Sequence, residues 1–110
     1  MTTPPIACTL TPDAYADRVR WIADLNRAFL RSHEQHDRTL DLVYAPDAAQ
    51  LVHALVQREQ LCCAFLRFTV HQSVDAVRLR VEAPAAAGDG VDLLFAPFLE
   101  SAPLAAAGDR

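Results

Sequence analysis

Two cysteines stand side by side at Cys62-Cys63, and a carboxylate, Glu59, precedes them by three and four residues. On a helix, residues at that spacing are neighbours, so Glu59 lies beside both thiols. Thiolates are soft donors that favour Zn, Cu(I) and other thiophilic ions. A sulfur sits about 2.3 Å from zinc, so two sulfurs sharing an ion must approach within about twice that distance. Adjacent cysteines on a regular strand point to opposite faces. At a helix end or in a turn, both sulfurs swing toward one point. Closing the same pair into a disulfide needs a strained backbone, and such a bond is easily reduced. The pair therefore admits two chemistries: binding of a soft metal or metalloid, and redox cycling through a vicinal disulfide.

Cys8 is the candidate third thiolate. Three thiolates suit a trigonal soft ion or a metalloid such as As(III), and the ions to consider are Zn, Hg, Cu(I) and As(III). Whether Cys8 reaches the pair depends on strand order. Glu59 falls in line with Val52, Val56 and Cys63 at steps of four, three and four, where the pattern expects an apolar side chain. A carboxylate at the edge of a core needs a partner or a job. It pairs with an arginine, accepts a proton from a thiol, or ligates a metal. The plainer readings are that free cysteines pack as small hydrophobes and that Glu59 is a surface carboxylate.

Other chemistry is thin. His33 and His36 have ligand-like spacing, but no cysteine or carboxylate pattern converges on them, and they read as solvated loop residues. There is no Gly-rich phosphate loop, G-x-S-x-G, H-E-x-x-H or C-x-x-C. No base or nucleophile partner converges on the thiols, so no catalytic residue is assigned. Binding is favoured over catalysis, and a structural or dimerisation module with packed cysteines is the third reading.

The elements that must position these residues follow from hydrophobic period. Ile6, Cys8 and Leu10 alternate as a short strand. Thr11-Pro12-Asp13 starts a helix, and Tyr15, Val19, Ile22, Leu25 and Phe29 make its apolar stripe, with Arg18 outside it. Residues 32–37 read as a polar connection. Thr39 to Tyr44 alternates as a half-buried strand. Ala45-Pro46-Asp47 starts a second helix, whose stripe of Leu51, Val52, Leu55 and Val56 runs toward Glu59 and the cysteines. Phe65 to His71 and Val77 to Val81 alternate as a β-hairpin. A short helix follows the break at Gly88-Asp89-Gly90, and Pro97 ends or kinks it.

The expected order is β-α-β-α-β-β-α. It predicts an α+β two-layer sandwich with a mostly antiparallel sheet and helices on one face. The other face would carry Arg67, Thr69, His71, Arg78, Arg80 and Glu82. It would meet water or a second copy of the chain, so a homodimer through the open sheet face is the expected partner.

Composition sets the bounds. The 110 residues are 52% hydrophobic and 22% charged, which is globular and enough for one domain over residues 1–100, with 101–110 as a disordered tail. The net charge is -4, and every side-chain cation is a scattered arginine, so nucleic acid is an unfavoured partner. No apolar run approaches a membrane span, and the N-terminus lacks the basic start and apolar stretch of a signal peptide; a cytoplasmic protein is expected. An odd cysteine count with two adjacent is no disulfide framework.

Arg58 to Phe68 contains E-x-x-C-C-x-F-x-x-F, formed by Glu59, Cys62, Cys63, Phe65 and Phe68. This resembles the motif of a group of small uncharacterised bacterial proteins. Cys8-Thr9-Leu10 and Leu94-Phe95-Ala96-Pro97-Phe98 resemble further segments of that group. Its members are similar to proteins encoded near, or fused to, MerR-type metal-responsive regulators. The resemblance spans most of residues 6–99 and implies heavy-metal handling, with Glu59, Cys62, Cys63 and Cys8 as the positions carried over. It assigns no reaction.

Overall fold

The computed structural model describes residues 12–62 and 64–102. Helix α1 spans Pro12–Phe29. Proline suits its first turn because an amide there has no intrahelical acceptor, and Asp13 and Arg27 complement the dipole at either end. Ile22 and Leu25 are buried, while Tyr15, expected in the stripe, is 43% exposed. Arg18, expected outside the stripe, is buried.

Strand β1, Leu30–His36, follows directly, and this corrects the polar connection expected there. Only Leu30 in β1 is buried, so the strand has no apolar alternation to betray it. Backbone pairing with β2 makes it a strand, and a register shift between Leu30 and Ser32 marks a bulge where it leaves α1. His33 and His36, read as loop residues, therefore lie on an edge strand. Asp37, in the two-residue turn after β1, has φ 51°, a left-handed conformation that aspartate tolerates.

Strand β2, Thr39–Tyr44, buries Leu40, Leu42 and Tyr44 and leaves the alternate residues half-buried. A single 3-10 turn at Pro46–Ala48 leads into helix α2, Ala49–Cys62. The hairpin predicted from alternation is present as β3, Arg67–Gln72, and β4, Val77–Glu82. In its turn the Ser73 hydroxyl accepts from the amides of Asp75 and Ala76. A 3-10 segment, Ala85–Gly90, kinks at Gly88, whose φ of 53° favours glycine. Helix α3, Val91–Phe95, and a 3-10 turn, Ala96–Leu99, complete the described elements.

The sheet is antiparallel throughout, in the order β1-β2-β4-β3. The fold is α+β, as expected, and the described elements run α-β-β-α-β-β-α. The strand expected at residues 6–10, and Cys8 with it, lie outside the described residues. One face of the sheet, with Leu40, Leu42, Leu79 and Val81, forms a single core with Ile22, Val52, Leu55, Phe95 and Phe98. Each such side chain contributes about 1.5–3 kcal/mol through its removal from water. The opposite face is polar: Arg67, Thr69, His71, Arg78 and Arg80 are exposed, as the alternation of β3 and β4 predicts.

Candidate functional site

The last two turns of α2 carry the site that the sequence points to. Val52 and Leu55 anchor α2 in the core, and continuing their stripe by one turn brings Glu59 inward. Glu59 is only 1% exposed. Its partner is Arg18 of α1, itself 6% exposed. Arg18 Nε donates to Glu59 Oε2 at 2.7 Å and Nη2 donates to Oε1 at 2.5 Å, a bidentate charge-assisted pair. Of the three roles open to Glu59 in the sequence, pairing with an arginine is the one its geometry adopts.

Aromatic rings close around the pair. The Arg18 guanidinium lies 5.6 Å from the Tyr15 ring centroid and 5.7 Å from that of Phe98. Both are within the range where a cation is attracted to a ring face. A second arginine on α2, Arg58, lies 4.8 Å from the Trp21 ring centroid. Two arginine contacts, one donated by each helix, thus tie the end of α2 to the middle of α1. Phe98 comes from the last 3-10 turn and also meets Phe68 of β3, with centroids 6.1 Å apart.

Beyond Glu59, α2 runs one further turn and ends at Cys62; β3 begins at Arg67. Cys62 is thus one helical turn past the buried carboxylate, and the pair falls in sequence where the helix gives way to the strand. Cys63, the Cys62 side chain and Cys8 lie outside the described residues. Among the described residues, no three histidines, cysteines or carboxylates form a group able to hold a metal ion. His36 and Glu34, two apart on β1, pair through Nε2 and Oε2 at 3.2 Å, and both are well exposed. No described helix is long and apolar enough to cross a membrane.

A second buried polar cluster was not singled out in the sequence. Asn26 of α1 is 2% exposed, and its Nδ2 donates to the carbonyls of Phe98 and Glu100, each at 2.8 Å. The Tyr44 hydroxyl donates to Asn26 Oδ1 at 3.3 Å. Burial pushes the Tyr44 phenol well above its usual value of 10.0. Arg18 did carry a signal. It lies four residues before Ile22 and seven before Leu25, on the buried stripe of α1, just as Glu59 lies on the stripe of α2. Two opposite charges, each out of place on an apolar stripe, identify one another.

Compared with known proteins, the chain matches no family model, no curated protein and no solved structure.

Proposed function

We propose that the protein is a cytoplasmic, homodimeric binder of a soft metal or metalloid, with Cys62 and Cys63 as thiolate ligands and Cys8 as a third. The observation that carries this reading is the buried Arg18–Glu59 pair one helical turn before Cys62. Burying two charges costs several kcal/mol of hydration, and an apolar pair of similar volume would fill the space without that cost. What the ion pair supplies is a fixed relation between two helices one turn before the sequence reaches Cys62-Cys63. The resemblance of Glu59 to Phe68 to proteins linked with metal-responsive regulators agrees with such a role.

Both Glu59 oxygens are engaged by Arg18. In this reading Glu59 therefore acts by holding the end of α2 and leaves ligation to the sulfurs. Two thiolates bind Zn(II), Hg(II), Cu(I) or As(III) in preference to hard cations, because their donors are polarisable. The test is titration of the reduced protein with each ion, followed by thiolate-to-metal charge-transfer absorbance. Saturation at one ion per chain is expected, with loss of binding in Cys62→Ser/Cys63→Ser and weakening in Cys8→Ser. Absence of tight binding, or binding unchanged in the double serine variant, overturns the reading.

A further inference from the structure

The open face of the sheet carries its charges in a pattern that a second copy of the same chain complements. Three arginines and three carboxylates lie on it: Arg67, Arg78 and Arg80 against Glu34, Asp41 and Glu82. Their charges balance, so the face as a whole attracts neither a polyanion nor a polycation. Their distribution is uneven, however. All three arginines sit on β3 and β4, while Glu34 and Asp41 sit on β1 and β2. One half of the sheet is basic, and the other half leans acidic.

The middle of this pattern is a single pair. Asp41 of β2 and Arg80 of β4 are directly opposed in register, on the two central strands, so the midline of the sheet passes between them. Arg80 Nε donates to Asp41 Oδ1 at 2.8 Å and Nη2 to Oδ2 at 3.3 Å. A carboxylate has more acceptor sites than these two bonds use, and a guanidinium has more donors. Beside the pair, a shallow trough of about 690 Å³ is bordered by Ser32, Glu34, Val43 and Arg78.

We propose that two chains associate face to face through this sheet about a twofold axis that runs parallel to the strands and over the Asp41–Arg80 pair. This arrangement fixes the geometry of the homodimer proposed above, and it is independent of the thiols. A twofold contact presents the same patch on both subunits, so a residue on one side of the axis meets a residue from the other side. With the axis along the strands, β1 and β2 of one chain lie over β3 and β4 of its partner. Each Asp41 then meets the Arg80 of the other chain, and the two intrachain pairs close into one ring of four charges. An axis across the strands would instead set Asp41 on Asp41 and Arg80 on Arg80, which repel. Charge therefore selects the first axis.

Size sets the strength. Four strands about 4.8 Å apart and six residues long at about 3.4 Å each present a face of roughly 400 Å². That is small for a protein interface, so the dimer is weak, with a dissociation constant above about 1 µM, and sensitive to salt.

The test is sedimentation equilibrium of the full chain under reducing conditions without metal, to about 1 mM protein, at about 0.1 M and about 1 M salt. A dimer is expected whose dissociation constant rises at least tenfold at the higher salt. Asp41→Arg and Arg80→Glu should each be monomeric when alone, with folding checked by circular dichroism. Mixed in equal amounts, they should form a heterodimer, because each reversed charge meets its complement across the axis. A chain that is monomeric throughout overturns both this arrangement and the dimer. A dimer indifferent to salt, or one that survives both reversals, overturns this arrangement alone. Two reversed chains that fail to associate when mixed also overturn it. Should either variant not fold, the salt response of the unaltered chain decides: a tenfold weakening supports the charge ring, and none overturns it.

Discussion

The protein contains two bidentate arginine–carboxylate pairs of nearly the same contact geometry and very different surroundings. Arg18–Glu59 joins α1 to α2 with side chains 7% and 1% exposed. Arg80–Asp41 joins β4 to β2 on the open face with side chains 56% and 31% exposed. Contacts alone do not separate them. In the interior both charges are largely removed from water, so losing either one costs far more than at the surface. On the sheet face water and salt compete for both, and the intrachain bond contributes little to folding. Burial makes the first pair a structural commitment. Exposure leaves the second available for another molecule.

The largest effect expected from this contrast is on breaking the buried pair. Arg18→Met or Glu59→Leu alone should destabilise the fold by about 3–5 kcal/mol in urea denaturation, because the remaining charge stays buried after the bidentate pair is broken. The double variant should recover most of that loss. A loss below about 1 kcal/mol in both single variants would break the contrast. The Asn26 cluster sharpens it with neutral groups. Asn26→Leu should cost about 1–3 kcal/mol, by leaving the Phe98 and Glu100 carbonyls and the Tyr44 hydroxyl short of a partner. Equal stability of that variant would mean that water reaches these groups.

The next effect appears only in alkali. The folded state holds the Tyr44 proton more tightly than the unfolded chain, whose phenol ionises near 10.0. This contribution is therefore complete below about pH 10 and is lost as pH rises from there toward the folded value. Denaturation midpoints of wild type and Tyr44→Phe, compared from pH 9 to 11, should diverge above pH 10, with the wild type falling faster. Parallel curves would show that the phenol ionises in the folded state as it does in water. The smallest effect on folding is expected at the exposed pair. Asp41→Asn should leave the denaturation midpoint within the error of measurement, and a clear loss would mean that the sheet face is less open than its exposure indicates.

The interior of the fold was more legible in the sequence than its edge. Alternation in β2 and β4 reports burial directly, and Leu40, Leu42, Leu79 and Val81 lie in the core as their spacing predicts; the helix stripes do so in part, since Ile22, Leu25, Val52 and Leu55 are buried while Tyr15 and Leu51 are exposed. Strand β1 escaped because pairing through the backbone at a sheet edge places no demand on side-chain polarity. Glu59 was legible as a misplaced charge, and its three possible jobs followed from burial alone. Its partner required asking which other charge was equally misplaced. Arg18 met that condition, yet its position on α1 was assigned to the polar side. Asn26 gave no such signal, because an amide beside Leu25 in a helix has no preferred partner until the chain around residues 98–100 is in place.

That last dependence has a consequence for how the chain is made. Asn26 is translated before the two carbonyls that satisfy it, which follow more than seventy residues later. During synthesis the first helix, the hairpin of β1 and β2, and the second helix are all made before the strap that packs on them. Until residues 98–100 are made, the Asn26 side chain lacks the two carbonyls it bonds in the fold. A chain that stopped short of residue 98 would lack both carbonyls and the buried Phe98 ring, so this part of the core closes only after that segment is made.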